Sequence, residues 1–471
     1  MLMAPLRDTR PDLWQRDSPK KEGIDYKETF APVAKMVSVR ALLAVATTNN
    51  WFIEQLDINN AFLYKDLNEE VYMALPQGLQ HSHPPNTICK LNNSLYGLKQ
   101  ANKQWFHKLT TFLLSIGFHQ SYAITSLFTL SEGTQLTALL VYVDDILIAG
   151  NHQSTILDIK QQLHKQFNIK DLGPLHYYLG IEILRNSHGL VMSQRKYVVE
   201  LLKGGSVFND KLVTIPINPI ASLNLTDGKL LPDPSHYRTL VGKLIYLTIT
   251  RPDISFAAQI LSKFSQAPRT THTKALLRVL RYIKLCHGQG LHFPVHNNLQ
   301  LTAYYDSDWA ACLITRRSSI EAEYKALAYC TCEITWLQCL FKDLQLDISR
   351  PTPIYCDNAS VIALASNPIQ HVRTKHIEID CHFVRDKIKS NHVLPTFIPT
   401  RLQAADVLTK RIPKALHYNY LSKFGICDPF TMPNCRGRDN GTKEAANTED
   451  VTNTVKDQHK VNNIKTIIKS A

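Results

Sequence analysis

Apolar residues recur along this chain at two distinct periods, and the change between them marks out its parts. From Val37 to Thr48 and from Asn102 to Ile116 the spacing is helical; in the second stretch Trp105, Leu109, Phe112, Leu113 and Ile116 fall three and four residues apart. Leu136–Val143 and Ile146–Ala149 are short β-type runs on either side of an acidic pair, the pattern of a hairpin. Trp51–Leu63 mixes strand and turn signals. Ser154–Phe167 predicts an amphipathic helix, and Leu175–Leu184 a strand ended by Asn186–Gly189. Gln194–Leu202 predicts a helix stopped by Gly204 and Gly205.

Residues 205–234 carry prolines at 216, 219, 232 and 234 with little periodicity, and read as a connector. Helical spacing resumes at 235–247, 253–265 and 271–286. Then strands and helices alternate. Leu299–Tyr305, Thr352–Cys356 and His392–Ile398 predict strands, and Ser360–Ala365 a short helix. Ser318–Phe341 predicts a long helix with Ile320, Tyr324, Leu327, Ile334, Leu337 and Phe341 on one face, opened by a capping box from Ser318 to Glu321. The organisation expected is therefore a poorly ordered segment 1–20, a first body 21–205, a helical region 206–295, a second α/β body 296–425, and a disordered tail 426–471 rich in Asn, Thr and Lys.

Composition is that of a globular protein: of 471 residues, 44% are hydrophobic and 20% charged. The formal charge is +13, and the tail from 431 onward holds seven basic and five acidic residues, so the excess lies mainly ahead of it. That suits a polyanionic partner. No apolar run approaches the ~18–20 residues of a membrane helix, and the most apolar stretch, Leu139–Ile148, is interrupted by Asp144 and Asp145. No membrane partner is expected. The first twenty residues have no apolar core of the kind a secretory signal needs. The ten cysteines are scattered without zinc-ribbon spacing. A reduced intracellular protein is the default expectation.

Asp144 and Asp145 sit between two apolar runs, where aspartate also serves simply as a turn residue. Asp57, in Gln55-Leu56-Asp57-Ile58-Asn59-Asn60-Ala61-Phe62, is a third acid at the end of an apolar stretch. A strand ending in one carboxylate beside a hairpin tipped by two would gather hard oxygen ligands, which Mg²⁺ prefers. Tyr142-Val143-Asp144-Asp145 resembles the polymerase signature of reverse transcriptases. Other segments resemble the Ty1/copia class of long-terminal-repeat retrotransposons: Glu28–Ala34, Gln55–Leu63, Glu70–Met73, Ser94–Gln100, Leu179–Glu182, and Leu240–Leu247 followed by Thr250-Arg251-Pro252-Asp253. Their order and spacing fit from about residue 21 to residue 425. The chain thus resembles a fragment of a Ty1/copia-type Pol polyprotein, reverse transcriptase plus a ribonuclease H-like region.

The resemblance implies an α+β and α/β multidomain fold: a right-hand polymerase palm with partial fingers, a helical thumb and connection, and a truncated ribonuclease H-like domain. It implies that Asp57, Asp144 and Asp145 hold two Mg²⁺. It implies that Phe62 lies under the incoming sugar, that Tyr96, Gly97, Lys99 and Gln100 line the nucleotide and template site, and that Leu179 and Gly180 hold the primer end. Phe62 is otherwise a core residue, Lys99 a solvated lysine, and Leu179-Gly180 a plain turn. Lys274, Arg278, Arg281 and Lys284 either touch duplex phosphates or form a solvated face. Partners implied are an RNA template, a DNA primer, an RNA–DNA hybrid and deoxynucleoside triphosphates; the oligomeric state is left open.

Asp306, Glu323, Asp357 and Asp406 follow in the order of a ribonuclease H quartet, again with two Mg²⁺ implied; singly, each is an ordinary cap or surface acid. His376, in Arg373–Ile377, is either a substrate contact or a structural histidine. The chain departs from the family pattern twice. Asp306 and Glu323 are only 17 positions apart, too few for two further strands of ~5–6 residues with their loops. Strands are therefore expected to be missing near 312–318, with Glu323 hard to aim at Asp306 and ribonuclease H activity lost. Residues 1–20 also do not resemble the family's cationic fingers, and no protease or integrase segment is seen. Three outcomes are expected to compete: an RNA-directed DNA polymerase using two-metal nucleotidyl transfer, an inactive remnant that at most binds nucleic acid, and a chain with no function at all.

Overall fold

The computed structural model describes residues 29–61, 66–75, 88–94, 98, 100–220, 223–295, 299–307, 319–367, 378–429 and 464–469. Two compact units divide the chain: Met1–Lys35 with Phe52–Pro174, and Met36–Trp51 with Leu175–Ala471. The helix α1, Met36–Thr48, belongs to the second.

The first unit is built on β1 (Phe52–Ile58), the ribbon strands β2 (Asp66–Ala74) and β3 (Ile88–Asn93), α2 (Ala101–Ser115), β4 (His119–Gln120), β5 (Leu127–Glu132), β6 (Gln135–Tyr142), β7 (Asp145–Gly150), α3 (Gln153–Gln166) and β8 (Ile169–Pro174). Six strands form one antiparallel sheet in the order β4-β5-β6-β7-β1-β8. Alternation along β1, β6 and β7 sends Leu56, Ile58, Leu139, Val141, Ile146 and Ile148 to one face. There they pack with Trp105, Leu109 and Leu113 of α2 and Ile156, Ile159 and Leu163 of α3. Each such side chain contributes about 1.5–3 kcal/mol on full burial. Trp105 and Phe112 each meet Phe167 edge-on, at centroid distances of 5.2 and 5.4 Å.

One polar cluster interrupts this core. Lys160 of α3 pairs with Glu54 of β1 and, at 2.8 Å, with Asp171 of β8. A lysine on the inner face of an amphipathic helix would be expensive alone; with two carboxylates from neighbouring strands it clamps α3 across them.

In the second unit β9 (Tyr177–Tyr178), β10 (Ile181–Asn186), β11 (Gly189–Ser193), β12 (Gly290–Pro294) and β16 (Ile426–Cys427) form an antiparallel sheet in the order β16-β12-β11-β10-β9, against which α1 packs. The helices α4 (Arg195–Gly204), α5 (Ser235–Leu247), α6 (Ser255–Ser262) and α7 (Thr270–Leu285) share a core of Leu201, Leu240, Leu244, Leu261, Leu276 and Leu280. A further sheet, β15-β14-β13-β17, is parallel throughout. It comprises β13 (Leu301–Asp306), β14 (Thr352–Cys356), β15 (Val393–Phe397) and β17 (Ile464–Lys469), accompanied by α8 (Ser319–Asp343), α9 (Ala359–Ser366), α10 (Glu378–Lys389), α11 (Asp406–Thr409) and α12 (Lys414–Lys423).

The mixed α/β character and most elements match the sequence pattern, with four departures. Leu175–Leu184 is not one strand, because Leu179 and Gly180 turn the chain between β9 and β10. Ile320 is 41% exposed, since the first turn of α8 overhangs the core that buries Tyr324, Leu327, Ile334, Leu337 and Phe341. The tail is not wholly structureless: residues 426–427 pair with β12 and 464–469 with β13. The connector and helical region 206–295 form no separate body, because β12 and the helices belong with the strands that flank them in the second unit.

Candidate active site

The acidic hairpin forms as its pattern predicts. Tyr142 pairs with Asp145, leaving Val143-Asp144 as a two-residue loop with Val143 at φ 58°. Glycine is usual at the first position of a hairpin loop with positive φ there. A β-branched residue held in that region costs about 1–3 kcal/mol and persists only when its surroundings impose it. Two contacts do so: the Trp105 indole N–H donates to the Val143 carbonyl at 2.8 Å, and the Ile58 N–H donates to the Asp144 carbonyl at 3.0 Å.

Asp57 of β1 lies directly opposite Asp145 of β7, so pairing register alone brings these acids together. Gln55, two residues before Asp57 and on the same face, donates through Nε2 to Asp145 Oδ1 at 3.1 Å. Burial pushes the Asp145 carboxyl above its ordinary range; Gln55 opposes the shift, and the Asp144 and Asp57 charges add to it. Repulsion among three carboxylates is the electrostatic condition a divalent cation relieves. The donors are all carboxylate oxygens, which fits Mg²⁺ in kind. Among the described residues, however, no three His, Cys, Asp or Glu side chains are drawn into a metal-binding group. Trp105→Phe keeps the ring in the core but removes the donor to Val143; the first unit is expected to lose about 1–2 kcal/mol, readable by chemical denaturation.

Of the other residues singled out, Phe62, Tyr96, Gly97, Lys99 and His376 lie outside the described residues. Gln100 is 2% exposed immediately ahead of α2. Leu179 and Gly180 do form a turn. The basic stripe on α7 is partly spent within the fold. Arg281 donates to Asp210 at 2.7 Å and Lys284 to the Asp210 carbonyl at 3.0 Å, and both hold the connector.

The second acidic set draws on β13, α8, α11 and the end of β14. Asp306 ends β13, Asp357 follows β14, and Asp406 opens α11. Glu323 lies on α8, with the Asp306 and Asp357 charges bearing on it, yet among the described residues these acids do not gather into a metal-binding group. Tyr324 and Leu327 are buried where α8 packs on β13, and this fixes the rotation of the helix about its axis. Two features invisible to motif reading lock the set. Gln403, fully buried, donates to the carbonyls of Tyr305 at 3.1 Å and Tyr355 at 3.4 Å, tying the Asp406 segment across β13 and β14. Lys410 Nζ lies 2.8 Å from Asp406 and 3.2 Å from Asp306, and the Thr409 hydroxyl donates to Asp306. The i,i+4 spacing of Asp406 and Lys410 was the readable signal. The expected gap in strands stands differently: residues 308–318 lie outside the described residues, and β13's neighbour on that side is the distant β17.

Burial raises the Glu323 carboxyl to about 7; Ser307 and Lys410 oppose the shift, while Asp306 and Asp357 add to it. Burial likewise raises Asp406 to about 6 despite Lys410. Both values lie above the unfolded ones, so the folded state holds these protons more tightly. The resulting stabilisation is complete below the ordinary carboxyl range and is lost as pH rises through about 6 and 7. In chelator-treated protein the unfolding midpoint of the second unit should therefore fall between about pH 5 and pH 8. A midpoint that is flat or rising across that interval contradicts the burial of these acids.

A family model described as reverse transcriptase (RNA-dependent DNA polymerase) matches residues 16–219. The retrovirus-related Pol polyprotein from transposon RE1 of Arabidopsis thaliana is 41% identical over 433 residues, which is 86% of this chain and 30% of that protein. That from transposon TNT 1-94 of Nicotiana tabacum is 34% identical over 446 residues, 87% of this chain and 33% of that protein. A transposon Ty5-1 protein of Saccharomyces cerevisiae is 31% identical over 258 residues, 54% of this chain and 84% of that protein. The chain thus spans only about 30% of the length of the plant polyproteins. Among solved structures, the foamy viral protease-reverse transcriptase in complex with dsDNA is matched over 74% of this chain and 68% of that one. The identity is 12% and the TM-score 0.19, too slight a likeness to bear on the fold.

Proposed function

Because this chain belongs to the reverse transcriptase family of copia-type retrotransposon Pol polyproteins, we propose that it is an RNA-directed DNA polymerase fragment acting through Asp57, Asp144 and Asp145. The observation that carries the reading is the register of β1 against β7, which sets Asp57 opposite Asp145 beside the strained Val143-Asp144 loop. Mg²⁺ ions held by these carboxylates, two per site, would supply activation of the primer 3′-hydroxyl and charge stabilisation on the departing pyrophosphate. The chain's own residues do the positioning. Trp105 anchors the loop through the Val143 carbonyl, and Gln55 orients Asp145. The partners in this reading are an RNA template, a DNA primer and deoxynucleoside triphosphates, in a right-hand arrangement with partial fingers.

The ribonuclease H-like region is read as degenerate. Lys410 bridges two of its four acids, and β13 is flanked by a parallel strand from far along the chain. A second reading, an inactive remnant that at most binds nucleic acid, is favoured by one observation: among the described residues no three ligand side chains gather into a metal-binding group. Primer extension on an RNA template, with and without Asp144 and Asp145, separates the two. Extension that depends on both acids supports the polymerase. Soluble, folded protein that binds primer–template without extending it supports the remnant.

A further inference from the structure

Lys410 stands among the acids of the second unit where a counter-ion would otherwise have to be. Its Nζ lies 2.8 Å from Asp406 Oδ1 and 3.2 Å from Asp306 Oδ2. The Thr409 hydroxyl donates to that same Asp306 oxygen. The Asp306 side chain is 2% exposed, and a carboxylate so far withdrawn from water needs a cation close by.

The fold delivers the ammonium to that place. Lys410 follows α11, and its N–H donates to the Asp406 carbonyl at 2.8 Å, closing the turn that sets the two side chains together. Gln403 ties the approach to α11 to the carbonyls of Tyr305 and Tyr355. The cation is thus tethered to one of its own partners, and competes at an effective concentration that a free ion must exceed. Mg²⁺ binds oxygen at about 2.0–2.1 Å in near-octahedral geometry. An ion joining Asp306 Oδ2 to Asp406 Oδ1 would have to sit where Nζ sits, and two cations that close repel. Carboxylate oxygens suit Mg²⁺ in kind, but the place between these two is taken. Among the described residues no three such side chains form a metal-binding group.

We propose that Lys410 is the resident cation of this acidic set and excludes divalent metal from it. The proposal deepens the reading of the region as degenerate, and rests on it. The acids of β13 and α11 are kept, and the lysine makes of them an ion-paired cluster in place of a metal centre.

The test uses the full chain carrying Asp144→Asn and Asp145→Asn, so that the acids of the first unit form no competing site. Mn²⁺ is the probe, and the free ion is followed by electron paramagnetic resonance. This parent should bind Mn²⁺ no tighter than about 1 mM. Lys410→Met keeps the aliphatic stem and removes the charge. It should tighten Mn²⁺ binding about tenfold or more, and the gain should vanish when Asp306→Asn is added. Its melting midpoint should rise with Mg²⁺, whereas that of the parent should not. Lys410→Arg keeps the charge and should exclude Mn²⁺ as the parent does. A Lys410→Met chain that melts cooperatively yet takes up no more Mn²⁺ than the parent overturns the proposal and leaves the degenerate reading standing. Parent protein that binds Mn²⁺ more tightly than expected, and loses that binding in Asp406→Asn, overturns both, whether or not any Lys410 variant folds.

Discussion

Replacing Asp144 and Asp145 together with asparagine should reduce Mg²⁺-dependent extension of a DNA primer on RNA by about 10³-fold or more, since electrostatic stabilisation of the transition state is the largest single contribution such a site makes. The same variant should melt no earlier than the parent. Burial and two neighbouring carboxylates hold Asp145 above its ordinary titration range, so its ionised form is unfavourable in the folded protein. A neutral isostere relieves that repulsion and still accepts the Gln55 hydrogen bond. Lost extension with retained melting behaviour separates chemistry from folding. Unchanged extension would remove these residues from the mechanism. A large drop in melting temperature would mean that the acids are structural.

The second large effect lies away from any substrate. Arg251 and Asp253 are 0% and 2% exposed and are joined by two hydrogen bonds, Nε to Oδ1 at 2.9 Å and Nη2 to Oδ2 at 2.7 Å. The Tyr282 hydroxyl donates to the same carboxylate at 2.6 Å, His417 Nε2 lies 2.9 Å from that hydroxyl, and Arg251 also donates to the Cys286 carbonyl at 2.8 Å. Burial alone would raise the Asp253 carboxyl, but the guanidinium overrides it and holds the group below its ordinary range. Asp253→Asn or Arg251→Met leaves one charge buried without its partner and should cost about 3–5 kcal/mol. Replacing both with apolar residues should cost less than either single change, a sign that a double-mutant cycle measures directly. Because the folded value is depressed, the pair's contribution is present above the ordinary carboxyl range and lost as pH falls through the lower, folded value. Additive single and double effects would contradict the network.

What the sequence made legible is what depends on local period. The two apolar runs around Asp144 and Asp145 could only be a hairpin, and β6 and β7 form it. The α2 stripe likewise showed Trp105 as apolar, but not that its N–H would reach the Val143 carbonyl 38 positions away. Gln55 and Gln403 escaped for the same reason: each acts on a carboxylate or backbone carbonyl brought near only by long-range pairing. Helix α10 was missed because its apolar positions are few among charges, and Cys381 and Val384 find their core only in the folded unit. The setting of Glu323 depends on the packing of α8 on β13, which loop length does not report.

The pairing of β13 with β17 also sets a clock on synthesis. The stretch Leu301–Asp306 is buried along its whole length and takes its neighbour on that side from residues 464–469. A ribosome adding about 5–20 residues per second needs roughly ten to thirty seconds to travel from one to the other. Through that interval an apolar strand edge stands open, the kind of edge to which another nascent chain can add. The edge of β13 on that side is therefore the last of this sheet to find its partner, after β14 and β15 have been made.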